Sequence, residues 1–204
     1  MSIVLPPMSA EGVVTVEQAL RARRSHREFT ATPISREALA VLLWAAGGVT
    51  GADGARAAPS AGGHYPLQGY VAAGAVANLP QGVYEYRPGQ HALEPCATAD
   101  VRVELGEAAL GEQPWVETAA AVIVIVADLA GARARFHSQP PVGVRGDRYV
   151  YMEAGAFAEN VHLQATALGL GMVLVGGFDD SAVATALRLD EPLEPVAMLC
   201  LGEV

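Results

Sequence analysis

Short apolar segments without polar alternation mark the strands that this chain buries on both faces. The clearest is Ala119–Ala127, where valine and isoleucine alternate and no position is polar. Gly82–Tyr86 and Gln90–Glu94 predict a hairpin that turns at Arg87-Pro88-Gly89. Shorter segments that also predict strands are Leu67–Ala73, Met172–Val175 and Val196–Leu201.

Apolar residues at helical spacing, together with capping residues, predict the helices. Thr15 and Gln18 form a capping box at the start of a helix over Val16–Arg24. Ser35 is the expected cap of a second helix, Arg36–Ala46. The other predicted helices are Val101–Leu110, Tyr149–Leu168 and Ser181–Leu187, the last capped by Asp179 or Asp180.

The predicted helix Tyr149–Leu168 is the longest and is apolar on nearly every side. Such a helix is usually buried. Its small residues Ala154, Gly155 and Ala156 would let a second helix approach closely. Two interpretations remain open from the pattern: the core of a dimer, or the buried central helix of a monomer.

Two stretches lack a regular pattern. Met1–Val14 is interpreted as a loose lead-in, and Asp128–Arg148, which contains Pro140 and Pro141, as a lid or flap. No linker and no internal repeat divides the chain, so residues 1–204 are expected to form a single domain. Because helices and strands do not alternate as βαβ units, the expected fold class is α+β.

Composition excludes several classes of function. The chain has a net charge of −9 and a pI of about 4.9, which argues against nucleic acid as a partner. All 13 basic residues are arginines, so Schiff-base lysine chemistry and a P-loop are excluded. No signal peptide or membrane span is recognisable, and Cys96 and Cys200 form neither a zinc motif nor a disulfide framework. A cytoplasmic protein is the resulting expectation.

Five of the arginines nevertheless lie between Arg21 and Arg36, around the pentapeptide Arg23-Arg24-Ser25-His26-Arg27. Guanidinium groups and a hydroxyl at a helix end suit phosphate oxygens, so one interpretation is an anion site. The other is a solvated charged face, which is what most charge runs are.

Other candidate motifs carry less chemistry. The histidines show no metal-ligand spacing, and His162 on an apolar helix is typical of a core or interface histidine. Glu153 and Glu159 are six residues apart and lie on different helix faces, which indicates interface or capping residues rather than an acid–base pair. Gly169-x-Gly171 is not a dinucleotide-binding motif, and Ser60 lacks a nucleophile elbow.

The stretch Arg23-Arg24-Ser25-His26-Arg27-Glu28-Phe29 resembles the opening motif of the FMN-dependent nitroreductase family. Several further stretches resemble the SagB-type dehydrogenases within that family and follow in the same order. They are Leu42–Thr50, Ala58–Leu67, Gly82–Tyr86, Arg148–Gly155, Gly169–Gly171 and Val175–Asp180. Together they cover the chain from about Thr15 onwards.

The resemblance implies a three-layer α-β-α fold, with a mixed, mainly antiparallel sheet, in an intertwined homodimer with FMN at the interface. Arg23, Arg24 and Ser25 would hold the FMN phosphate and ribityl chain, and Arg27 would reach the pyrimidine edge. Pro59, Ser60, Ala61 and Gly62 would come from the other subunit and pack near the ring. Gly176 and Gly177 would offer backbone N–H groups near N5. No residue would be covalently catalytic and no metal is implied.

The implied activity is ping-pong hydride transfer between NAD(P)H or an organic donor and a small-molecule acceptor. Three departures from the family pattern qualify it. Pro141-Val142 stand where azole-forming members carry Lys-Tyr, which argues against azoline dehydrogenation. Gly176 stands where a glutamate is frequent. Glu203 stands where a basic residue is usual, which predicts weak FMN retention unless an arginine of the partner chain, such as Arg56 or Arg145, compensates. The alternative function is a flavin-binding accessory subunit with little turnover.

Overall fold

The computed structural model describes residues 1–8 and 12–204. In these residues a seven-stranded sheet has the strand order β1-β4-β3-β2-β5-β7-β6. Its strands are β1 (Ile3–Val4), β2 (Leu67–Ala73), β3 (Gly82–Arg87), β4 (Ala92–Ala97), β5 (Ala121–Asp128), β6 (Gly171–Val175) and β7 (Leu193–Gly202). Every pair of neighbouring named strands is antiparallel.

The helices pack on both faces of this sheet. They are α1 (Val16–Ala22), α2 (Arg36–Gly47), α3 (Arg102–Ala108), α4 (Trp115–Thr118), α5 (Leu129–Arg135), α6 (Arg145–Ala167) and α7 (Asp180–Leu187). One apolar cluster joins α2, α5 and α6 to the sheet, and a second joins α3, α4 and α7 to its opposite face. The expected three-layer α+β architecture is therefore confirmed.

Strand β5 lies at the centre of the molecule, as its composition predicts. It pairs with β2 on one side and β7 on the other, and Ala121–Ala127 are fully buried. Because side chains alternate along a strand, Ile123 and Ile125 enter one core, and Val122 and Val124 enter the other. A strand covered on both faces has no polar side, which is why its sequence shows no alternation.

The predicted capping residues are confirmed. Thr15 and Gln18 form both bonds of the capping box, Ser35 accepts the N–H of Ala38, and Asp179 caps α7. Helix α1 ends at Ala22, two residues before the predicted end, because Arg23 leaves helical geometry. From there the chain continues in an extended conformation towards the sheet.

Two predictions about irregular segments are wrong. Part of the lead-in is a strand, since Ile3 and Val4 pair with Leu93 and Ala92, and Leu5 is buried; residues 9–11 of that lead-in lie outside the described residues. The stretch Asp128–Arg148 contains α5 and the start of α6. Its apolar signal is weak because alanine, glycine and arginine supply most of α5, whose first turn Asp128 caps.

Of the two interpretations of the long helix, the buried central helix of a monomer is wrong. Helix α6 buries one face, which includes Val150, Phe157 and Val161. Its other face is exposed, with Tyr151 at 58% and Met152 at 66% of their accessible surface. No helix in the described part of the chain is long and apolar enough to span a membrane.

Candidate functional site

The arginine-rich segment Arg23–Phe29 lies along the edge of the sheet that β6 forms. Ser25 makes a parallel bridge with Met172, and the backbone N–H of His26 donates to the Met172 carbonyl at 2.9 Å. Further along, the N–H of Thr30 donates to the carbonyl of Glu203 at 2.9 Å. The backbone of the segment is therefore bonded to the sheet near both of its ends.

Two glycines allow the segment to lie this close. Gly171 of β6 and Gly202 of β7 are register partners, so they form one small flat area on the sheet. A Cβ on Gly202 would lie 2.9 Å from Cδ1 of Phe29, and a Cβ on Gly171 would lie 2.9 Å from Cβ of His26. Contacts this short do not occur between real side chains, so the missing Cβ atoms are what make room for the segment.

Helix α6 holds the same segment through His162, whose side chain is buried at 6% exposure. Its Nε2 lies 2.9 Å from the Arg24 carbonyl oxygen, and its Nδ1 lies 3.5 Å from a terminal nitrogen of Arg23. These partners require the neutral tautomer with the proton on Nε2, since the carbonyl accepts and the guanidinium donates. Burial lowers the pKa of His162, which favours the same neutral form.

The arginine side chains of the segment are only partly engaged within the chain. Arg24 donates to the carbonyls of Arg21 and Arg23, at the end of α1. Arg23 lies 3.8 Å from Glu159, and both side chains of this pair are partly exposed. Ser25 and Arg27 line an open cavity of about 540 Å³. The guanidinium of Arg27 and the hydroxyl of Ser25 are donors that suit an anion, and Glu28 is the acidic side chain of the same lining.

Arg27 and the Gly176-Gly177 turn lie towards the same end of β6. The bridge between Ser25 and Met172 is parallel, so the segment runs in the direction of the turn that follows Val175. The guanidinium carbon of Arg27 lies 5.5 Å from the ring centroid of Trp115. The Gly177 carbonyl accepts the N–H of Leu110 at 2.9 Å, which ties the turn to the chain after α3.

The second predicted segment, Pro59–Gly63, is held differently. A carboxylate oxygen of Glu153, which is 7% exposed, accepts the N–H of Ala61 at 2.7 Å. The Ser60 hydroxyl oxygen accepts the N–H of Tyr65 at 2.7 Å. Gly62 and Gly63 have φ values of 59° and 63°, in the left-handed region that favours glycine. This loop therefore presents small side chains and exposed backbone on a fixed turn.

The structure does not bring the two segments together within one chain. Both are anchored to α6, but Glu153 and His162 are nine residues apart, which corresponds to about two and a half helical turns and about 13 Å along the axis. After two and a half turns, two side chains point in opposite directions. The loop and the arginine-rich segment of one chain thus lie on opposite sides of the same helix.

Sequence reasoning identified His162 as a core or interface histidine and Glu153 as an interface or capping residue, but it did not predict that each anchors a site segment. Glu153 and His162 are the buried polar side chains of the described residues, and each anchors one predicted site segment. A signal was present, since a charged or polar residue within an apolar helix needs a partner when it is buried. In the same described residues, no cluster of metal-ligating side chains occurs.

Comparison with known proteins places this arrangement in context. The model of the Nitroreductase family matches residues 20–203. A Methanocaldococcus jannaschii protein with the provisional name of nitroreductase is 38% identical over 202 residues, which is 99% of this chain and 96% of that protein. Two crystal structures with similarly provisional names have the same fold. The one from Ralstonia eutropha has a TM-score of 0.82 and 34% identity, over 100% of this chain and 89% of that chain. The one from Anabaena variabilis has a TM-score of 0.84 and 26% identity, over 100% of this chain and 41% of that chain.

Proposed function

Since this chain belongs to the nitroreductase family of oxidoreductases, we propose that it is an FMN-dependent enzyme closest to the SagB-type dehydrogenases within that family. The single observation that carries the proposal is the seating of Arg23–Phe29. Backbone bonds, a glycine pair and a buried histidine fix the position of a segment whose cationic side chains remain partly free. A segment held so firmly, with its cations available, is organised for an anionic ligand.

The residues present fit a flavin mononucleotide. Arg23, Arg24 and Ser25 would meet the phosphate and ribityl chain, because guanidinium groups and hydroxyls bond phosphate oxygens. Arg27 would lie at the pyrimidine edge, with Trp115 stacked beneath its guanidinium. The turn at Gly176 and Gly177 would supply backbone N–H groups without a side chain between the backbone and the ring.

When bound, FMN would supply two-electron hydride chemistry, with NAD(P)H or an organic donor and a small-molecule acceptor using the site in turn. The protein's own contribution is to position the flavin ring and to set the electrostatic field around it. Arg27 would place a positive charge where negative charge develops on reduction, and no side chain would need to form a covalent bond. The pair Pro141-Val142 supports a substrate other than an azoline.

We also propose that the loop Pro59–Gly62 completes the site of a second copy in a homodimer. The loop and the arginine-rich segment lie on opposite sides of α6 in one chain, so two chains related by a two-fold axis would be needed to bring them together. The exposed face of α6 supports this arrangement. A stripe at helical spacing runs along this face and consists of Met152, Gly155, Glu159 and Leu163. It is apolar apart from Glu159, and Gly155 within it has no side chain.

The experiment that tests the cofactor is the absorbance of the purified protein before and after NADPH is added without oxygen. We expect a flavin spectrum that bleaches on reduction and returns when an acceptor is supplied. If NADPH, NADH and organic donors all leave the flavin spectrum unchanged, the result would favour the alternative function, a flavin-binding accessory subunit. A protein that does not bind added FMN would contradict both.

The dimer is tested by Met152→Glu, which places a charge at one end of the exposed α6 stripe. Burying that charge in an interface is strongly unfavourable, so we expect association to weaken by at least about a hundredfold. Light scattering at several protein concentrations measures the change. Val103→Glu is the matched control, because Val103 is 54% exposed on α3, on the other side of the sheet. Equal behaviour of the two variants would show that the stripe is not the interface.

A further inference from the structure

A second cavity, apart from the arginine-rich segment, lies between the sheet and helices α2 and α6. Its volume is about 220 Å³. Its lining combines the apolar side chains of Leu67, Pro88 and Phe157 and the ring of Tyr86 with polar and charged side chains. A narrow extension continues from it to Pro59 and Glu153. The extension reaches Pro59 of the proposed flavin-site loop, whereas the main cavity is lined by none of the residues proposed above to hold the flavin.

Four of the cavity's side chains carry a charge or an amide group: Arg56, Gln68, Glu85 and Arg87. Arg56 lines both the cavity and its extension, and its guanidinium carbon lies 4.6 Å from the ring centroid of Tyr65. The Tyr65 hydroxyl accepts the backbone N–H of Arg56 at 3.3 Å. Tyr65 is itself held by Ser60 and has a φ of 51°, so its ring is fixed by the preceding loop. The guanidinium is therefore stacked on a rigid support.

The charge of Arg56 has no counter-ion in the described residues. The acidic group in the main cavity, Glu85, is paired with Arg87 at 2.6 Å. Glu153, in the extension, accepts the N–H of Ala61 and forms no ion pair with Arg56 within the described chain. Arg56 is partly buried and no carboxylate of the described residues meets its charge, so an anionic ligand would supply the missing partner.

We propose that this cavity binds a small monocarboxylate with a flat apolar body. Arg56 would bond the carboxylate through its fork of donors, and Leu67, Tyr86 and Phe157 would enclose the apolar part. Charge favours a carboxylate over a phosphate, because one free guanidinium matches one negative charge and Arg87 is already neutralised by Glu85. The volume suits a molecule of the size of a single aromatic ring with its substituent. Binding of the carboxylate does not require the flavin, so this proposal can be tested independently of the proposed function.

Benzoate is the probe, and calorimetric titration of the purified protein measures its binding. We expect benzoate to bind the wild-type protein at least about tenfold more tightly than benzamide, which has the same shape without the charge. Arg56→Met keeps the apolar stem and removes the guanidinium, and it should lose the same factor. Arg87→Met is the matched control: an arginine of the same cavity that is already paired, where we expect little change.

Three results would overturn the proposal. They are no benzoate binding to the wild-type protein, equal benzoate affinity in Arg56→Met, or a loss in Arg87→Met as large as in Arg56→Met. If Arg56→Met does not fold, Arg56→Lys and the ratio of benzoate to benzamide affinity in the wild-type protein decide the question. If benzoate and benzamide bind the wild-type protein equally tightly, the site does not recognise the charge, and no variant is needed to reach that conclusion.

Discussion

The two segments proposed to meet one cofactor are held in contrasting ways. Arg23–Phe29 is bonded to the sheet through its backbone and lies on the Gly171–Gly202 pair. His162 also forms a hydrogen bond with the Arg24 carbonyl of this segment. Pro59–Gly63 is bonded to α6 through the Glu153 carboxylate, and its other bonds are local, since Ser60 accepts the N–H groups of Gly63 and Tyr65. The difference suits their proposed roles. A segment that binds a charged phosphate must resist being pulled out of place, whereas a loop that packs against a second chain gains part of its order from that chain.

The largest effect is expected when a side chain is placed in the space that Gly171 and Gly202 leave for Arg23–Phe29. Gly202→Ala would place a methyl group 2.9 Å from the Phe29 ring, so Phe29 must move and the segment with it. Inserting an atom into a packed site typically costs about 1–3 kcal/mol, and we expect the upper part of that range here. Denaturant unfolding measures the change, and FMN occupancy should fall with it.

Gly89→Ala is the control for this prediction, because Gly89 is exposed and a Cβ there would meet nothing within 4 Å. It should unfold at nearly the same denaturant concentration as the wild-type protein. A Gly202→Ala variant of unchanged stability and unchanged flavin content would show that the segment does not need the glycine pair.

The second segment is broken by Glu153→Ala, which removes the acceptor of the Ala61 N–H. A buried donor left without a partner costs about 1–3 kcal/mol. Because only the loop loses a bond, we expect the cost to appear as local opening, with faster hydrogen exchange at Ala61 and faster proteolysis between Pro59 and Tyr65. Glu153→Gln retains an acceptor oxygen and should stay close to the wild-type rates. Identical protection in Glu153→Ala would mean that the loop is held by other contacts.

The functional side of the comparison is sharpened by Arg27→Ala. If Arg27 faces the pyrimidine edge, its loss removes a charge that stabilises the anionic reduced flavin. We expect the two-electron potential to become more negative by on the order of 30 mV, which corresponds to about 1.4 kcal/mol. Spectroelectrochemical titration of the flavin-loaded variant measures it. Arg135→Ala, which removes an exposed arginine of α5 outside the proposed site, is the control and should leave the potential unchanged. An unchanged potential in Arg27→Ala would contradict the placement of Arg27.

The smallest effect concerns pH and His162. Burial lowers the pKa of His162 below its ordinary value of 6.5, so the unfolded chain binds a proton at a higher pH than the folded one does. The contribution of this neutral histidine to stability is fully present above about pH 6.5 and is lost as the pH falls from there towards its lowered pKa. Unfolding free energies at about pH 7.5 and pH 5.5 should therefore differ more in the wild-type protein than in His162→Gln. An equal difference in both would exclude His162 as the titrating group.

Local patterns in the sequence determined most of the fold. Strand β2 has the predicted bounds, β5 is the central strand, and Thr15, Ser35 and Asp179 cap the helices that follow them. These features depend on neighbours within a few residues, or on burial that leaves a run entirely apolar. The arginine-rich segment also stood out as a candidate anion site, because it concentrates charge in a short stretch of an acidic chain.

The tertiary structure alone decided how the site segments are held. Glu153 reaches a residue 92 positions away and His162 one 138 positions away, so neither role is encoded in local spacing. The seat formed by Gly171 and Gly202 exists only because β6 and β7 pair in one register. The exposed face of α6 was hidden in the sequence because alanine and glycine are compatible with either a core or an interface. Local periodicity specifies elements, whereas a site assembled from distant elements depends on the packing that brings them together.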